Sequence, residues 1–150
     1  MTKRDKIKLV LYIVLAVLAV TFILTNSLKD GEESYEQSKG IVAFVESILD
    51  PQDKIPTEKF NYAVRKTAHF TEFALLGFAL GGIMNCAYAA TGRLHLSATI
   101  LGGLLVAVAD EFLQSFTGRS SSVSDILIDL CGVLFGIAVV VLVERGKRKR

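Results

Sequence analysis

Four long apolar blocks limit what this chain can fold into more than anything else in it. They are "IKLVLYIVLAVLAVTFILT" (7–25), "KTAHFTEFALLGFALGGIMNCAYAA" (66–90), "LHLSATILGGLLVAVADEFLQSF" (94–116) and "SDILIDLCGVLFGIAVVVLV" (124–143). An α-helix of about 20 residues covers about 30 Å, the thickness of the hydrocarbon core of a bilayer. A backbone inside lipid must satisfy its own hydrogen bonds, which a helix does within one segment. The expected fold is therefore all-α: a polytopic membrane protein with four transmembrane helices in a bundle. At 150 residues it makes a single membrane domain, 1–150. The first block also resembles a signal peptide, but no small-x-small cleavage site follows it. It reads as an uncleaved anchor.

Charge placement sets the expected orientation. The chain begins "MTKRDKIK" and ends "ERGKRKR". Basic residues next to a span resist translocation. With an even number of spans, both termini are expected in the cytoplasm. The "TGR" link at 91–93 is then also inside, and the segments 26–65 and 117–124 lie outside. The basic C-terminus reads as a topology signal and a contact for anionic lipid, with no nucleic-acid partner expected. Cys86 and Cys131 show no metal-ligand spacing and read as small buried packing residues. His95, at the inner end of its span, reads as an interface residue.

The outer segment carries its own pattern. Ile41, Val42, Phe44, Val45, Ile48 and Leu49 fall at amphipathic spacing, and Pro51 closes the run. An interfacial helix is expected there; a lid packed on the mouth of the bundle is the other reading. Thr57 reads as the N-cap of the helix that continues into the second span.

The apolar blocks are not uniformly apolar. Under the expected topology, Arg65, Lys66, His69, Glu72, Asp110, Glu111, Gln114, Asp125 and Asp129 all fall at the outer ends of their spans. Arg119 lies in the loop beside them. Gly103, Ala107, Asp110 and Gln114 follow one helical face, and so do Asp125, Asp129, Gly132 and Gly136. Gly77 and Gly81 extend the pattern to the second span. Each seam is small at its inner end and polar at its outer end. Packing the small parts together, with Gly132 and Gly136 as a GxxxG pair, leaves the polar parts around an outward cleft. Carboxylates facing lipid cost several kcal/mol, so Asp110 and Glu111 are expected to face that cleft.

The chemistry of the cluster follows from its charge. Five carboxylates (Glu72, Asp110, Glu111, Asp125, Asp129) meet three fixed cations (Arg65, Lys66, Arg119), with His69 able to take either state. The excess acid calls for water, a proton or a cation. His69, Glu72, Asp110 and Glu111 are the candidate acid–base groups. Arg65, Lys66, Gln114, Arg119, Asp125 and Asp129 are the candidate binding groups. No metal and no cofactor is expected, although His-x-x-Glu with added carboxylates is also a donor set that a divalent cation accepts. A purely structural network of helix-pinning ion pairs uses the same residues.

The stretches "RKTAHFTEFALLG" and "DEFLQSFTGRSSSVSDILIDLCGVLFG" resemble the two signature segments of VanZ-like membrane proteins. The matching positions are Lys66, His69, Phe70, Glu72, Asp110, Glu111, Gln114, Gly118, Arg119, Asp125, Gly132 and Gly136. The match runs over roughly 60–140. Thr117 stands where a proline is common, and Asp129 where asparagine is common. The resemblance implies a multi-pass protein of the bacterial cytoplasmic membrane. The family is named for a member that lowers susceptibility to teicoplanin, a lipoglycopeptide antibiotic. Taken with the outward cleft expected from the helix seams, that association points to an amphiphilic envelope ligand: a membrane lipid, a lipid-linked peptidoglycan precursor or a lipoglycopeptide. Two alternatives use the same residue types. One is an enzyme acting on a lipid-linked substrate, and the other is a proton-coupled transporter.

Overall fold

The computed structural model describes residues 2–50, 54–119 and 121–148. All regular structure among them is helical: α1 (Lys3–Ser27), α2 (Gly31–Leu49), α3 (Thr57–Thr91), α4 (Leu96–Gln114) and α5 (Val123–Arg148). Four of these, α1, α3, α4 and α5, are long and apolar enough to cross a membrane. They coincide with the four apolar blocks, and the chain is a multi-pass membrane protein.

Local chemistry sets the helix ends. Thr2 and Asp5 form a reciprocal capping box at the start of α1. Asp30 caps α2, its side chain accepting from the backbone N–H groups of Glu32 and Glu33 at 3.0 and 2.9 Å. α3 stops at Gly92, whose φ of 70° lies in the left-handed region where a side chain would be strained. Thr57 is the first helical residue of α3, with Pro56 at the cap position expected of Thr57. Its hydroxyl instead donates to Glu46 Oε1 at 2.8 Å, tying the end of α2 to the start of α3.

At 35 residues α3 is about 50 Å long, well beyond a hydrocarbon core. Its first turns project past the apolar block that begins at 66, and α2 packs against α3. Only Val42 of α2's apolar residues is buried; Ile41, Phe44, Ile48 and Leu49 stay exposed on its surface. Pro51 lies outside the described residues.

α3 is the central helix. It touches α1, α2, α4 and α5, most extensively α5. The α3–α5 contact is backbone on backbone. A methyl group added at Gly132 would stand 2.5 Å from the Phe70 carbonyl oxygen. One added at Gly136 would meet the Ala74 carbonyl, and one at Gly77 the Val133 carbonyl, closer still. The small seam is thus a physical requirement of the packing. Val133 also fills the space above Gly103, joining α4 to the pair. Around it lie Phe73, Leu76, Ala107 and Ile137, with Ala19 and Ile23 from α1.

The helices alternate in direction. Tyr12, early in α1, lies against Gly82, late in α3, and Val140, late in α5, lies against Gly81. The start of α1 and the end of α5 therefore share one end of the molecule. Cys86 is buried as expected, but Cys131 is exposed on the apolar surface of α5 and does not pack inside. It lies one residue before Gly132, which makes the contact with α3, and one turn before Phe135, whose ring stands 5.6 Å from that of Phe70.

Candidate functional site

At the other end, the last turn of α1, α2, the first half of α3, the last turn of α4 and the loop after α4 enclose a cavity of about 790 Å³. Arg65, His69, Glu72, Asp110, Gln114 and Arg119 all border it. Six of the ten residues singled out from the sequence are thus brought to one wall. The other four, Lys66, Glu111, Asp125 and Asp129, lie behind that wall.

The residues behind the wall are not equivalent. Lys66 Nζ pairs with Asp125 Oδ1 and stands over the Tyr62 ring, 5.0 Å from its centroid. Glu111 is buried, and its Oε2 accepts from the backbone N–H of Ser122 at 2.8 Å. It thereby fixes the turn that starts α5. Its Oε1 has no partner. Asp129 is fully buried with neither carboxylate oxygen hydrogen-bonded.

On the wall itself, Asp110 is the most tightly held group. Ser27 Oγ donates to its Oδ1, and Gln114 Nε2 donates to its Oδ2 at 2.8 Å. His69 Nδ1 lies 3.5 Å from Asp110 Oδ2 and 3.4 Å from Asp129 Oδ1. Glu72 Oε1 lies 3.4 Å from Asn26 Nδ2. One helical turn separates His69 from Glu72, which puts both on the cavity face of α3.

Arg119 reaches over the end of α1, its Nη1 donating to the Asn26 carbonyl at 3.4 Å. Burial pushes its guanidinium below the ordinary value, and the like charge of Arg65 adds to the effect. Among the described residues, no carboxylate comes within ion-pairing distance of either guanidinium. Arg65 and Arg119 therefore border the cavity without an ion-pair partner among the described residues, with Asp110, Glu111 and Glu72 acting on Arg119 only through space.

Sequence reasoning missed the contribution of α1. Asn26 and Ser27 read as the first residues of an outer loop; they are the last turn of α1, and Ser27 is buried against Asp110. A polar "TNS" ending an apolar block was the available signal. It is weak by itself, because spans commonly end in such residues.

No curated protein and no solved structure shows significant similarity to this chain. A family description does match it: VanZ/LLP1, over residues 10–144. That stretch enters all five helices and includes every residue placed above on or behind the cavity wall. By this match the chain is a member of the VanZ/LLP1 family, as its two signature segments implied.

Proposed function

We propose that the cavity binds an amphiphile with an anionic head group, taken from the outer face of the bacterial cytoplasmic membrane. The observation that carries this reading is the pair of guanidiniums, Arg65 and Arg119, bordering one cavity with no carboxylate within ion-pairing distance among the described residues. Guanidinium groups hold phosphate and carboxylate oxygens in a fixed fork, and a bound anion relieves the repulsion between the two cations. Phe22, Tyr35, Ile41 and Tyr62 supply apolar wall for the first part of an acyl chain. The exposed face of α2, with Phe44, Ile48 and Leu49, suits a helix lying in the membrane interface beside the cavity mouth.

The outward orientation rests on the basic residues at the opposite end, where α1 starts and α5 finishes. Lys3, Arg4, Lys6 and Lys8 gather there with Arg145. The ligand class fits either a lipid-linked peptidoglycan precursor or a lipoglycopeptide, and the latter would connect the site to teicoplanin susceptibility. Mass spectrometry of lipids retained by the detergent-extracted protein tests the reading. Anionic amphiphiles should be retained by the wild type and lost from an Arg65→Ala/Arg119→Ala double variant. The same lipid profile in both proteins would refute it.

A second reading has an observation of its own. His69 and Asp110 stand together on the cavity wall, placed as an acid–base pair facing a bound head group. An enzyme acting on a lipid-linked substrate would keep ligand in a His69→Gln variant but lose turnover. No turnover by the wild type returns the site to binding alone.

A further inference from the structure

We propose that His69, Asp110 and Asp129 form a site for one divalent transition cation, of the Mn²⁺ or Zn²⁺ type, at the floor of the cavity. The three residues come from three different helices, α3, α4 and α5. Each offers one ligand atom, and the three atoms lie within 4.8 Å of one another.

The spacing fits an ion better than it fits direct hydrogen bonds. His69 Nδ1 is 3.5 Å from Asp110 Oδ2 and 3.4 Å from Asp129 Oδ1. A good N–H···O bond is about 2.9 Å. Neighbouring ligands of one ion, each bonded at about 2.0–2.2 Å, stand roughly 3.0–3.4 Å apart. His69 Nδ1 makes no hydrogen bond to either carboxylate.

Asp129 supplies the independent observation. Its side chain is completely buried, its Oδ1 faces His69 Nδ1 at 3.4 Å, and neither of its oxygens accepts a hydrogen bond. A buried carboxylate with nothing to accept is costly unless a cation meets it. Lys66 does not, since it is committed to Asp125. Asp110, in contrast, is oriented from outside the group by Ser27 and Gln114. Metal-ligating carboxylates are typically held in this way. A dication balances the two carboxylates, and the imidazole donor favours a transition ion over Mg²⁺ or Ca²⁺. His69 and Asp110 border the cavity, so water or a ligand oxygen can complete the coordination. The site does not depend on what fills the rest of the cavity.

The test uses the full chain in detergent, stripped with a chelator and titrated with Mn²⁺ under electron paramagnetic resonance. The expected result is saturable binding of about one ion per chain, displaced by Zn²⁺ and not by equal Mg²⁺. Pulsed measurements should show nitrogen coupling from a directly bound imidazole. That coupling should vanish in His69→Gln and persist in His95→Gln. Asp129→Asn should weaken binding by at least about a hundredfold, and Gln114→Leu, which only orients Asp110, by about tenfold. Lack of saturable Mn²⁺ and Zn²⁺ binding by the wild type overturns the proposal and leaves a protonated His69 between the carboxylates. So does binding without nitrogen coupling, or binding unchanged by both His69→Gln and Asp129→Asn. Should Asp129→Asn fail to fold, the nitrogen signal of the wild type and its loss in His69→Gln decide the matter.

Discussion

The α3–α5 contact is built in two ways along its length. Toward the end that carries the chain termini, Gly77, Gly132 and Gly136 let two backbones touch, and Val133 closes the space to Gly103. Every group there meets a packed neighbour. Toward the cavity, within two turns, the same two helices carry His69 and Asp129, and neither oxygen of Asp129 accepts a hydrogen bond. Lipid supplies little hydrophobic drive between helices, so close van der Waals packing must hold them together. The glycine half does that, and its rigidity lets the other half keep unsatisfied polar groups in place. On the proposed reading, the difference separates stability from function along one helix pair.

The largest effect that could blur this separation lies just behind the cavity wall. The Lys66–Asp125 pair is structural by this account, although it sits among the polar groups. The side chains are 13% and 4% exposed. Lys66→Met strands a buried carboxylate, and a loss of about 3–5 kcal/mol is expected. Thermal unfolding in detergent measures it. A Lys66→Met/Asp125→Leu double variant should recover most of the loss. If the single variant is as stable as the wild type, the pair does not pin the helices.

The glycine half is probed next. A side chain at Gly136 must push the Ala74 carbonyl away. Gly136→Val is expected to cost about 3 kcal/mol, near the upper end for an overpacked contact. Gly102 is a control from the same kind of helix, with nothing within 4 Å of an added methyl. Gly102→Ala should be neutral or stabilising by up to about 1 kcal/mol. Equal losses in the two variants would show that close approach at Gly136 is not what holds α3 to α5.

These two cases also show what was legible in the sequence. Apolar block length gave the four long helices, because spanning demands length and excludes charge. The glycine seams were legible because a 3.6-residue period puts small residues on one face, and that face must be a contact. The shared end of His69, Asp110 and Asp129 followed from their positions within blocks that alternate in direction. What could not be read was pairing. Nothing in the sequence distinguishes Asp125, which has Lys66, from Asp129, which has no donor; both lie on the same face of α5, one turn apart. Nor could it assign Ser27 to Asp110, a partner 83 residues away in the chain. Those choices depend on helix rotation and rise, which periodicity leaves free. Cys131 failed for the same reason: its composition fits either side of the helix.

Asp110 gives a smaller and more graded effect. Asp110→Ala removes the acceptor of buried Gln114, while the Ser27 hydroxyl keeps the Ile23 carbonyl at 2.7 Å. A loss of about 2 kcal/mol is expected, since one buried unsatisfied group costs about 1–3 kcal/mol. Asp110→Asn keeps one acceptor oxygen and should lose about 1 kcal/mol. If the two changes cost the same, the charge of Asp110 matters more than its hydrogen bonds.

The smallest effect carries the sharpest contrast, because its sign is expected to depend on metal. Asp129 has no hydrogen bond to lose, and an amide is cheaper to bury than an unpaired carboxylate. In chelator, Asp129→Asn should therefore match the wild type or exceed it by about 1 kcal/mol. Asp129→Leu tests whether the gain comes from lost charge alone. With Mn²⁺ added in excess, the wild type gains about 2.7 kcal/mol at a hundred times its dissociation constant. The variant, which binds weakly, gains little. The order of the two melting temperatures should then reverse. A variant that is less stable by about 2 kcal/mol in chelator, with no response of the wild type to metal, would mean something different. Asp129 would then be held by a charged His69, and the polar half of the contact would be pinned by ion pairing rather than by the glycines beside it.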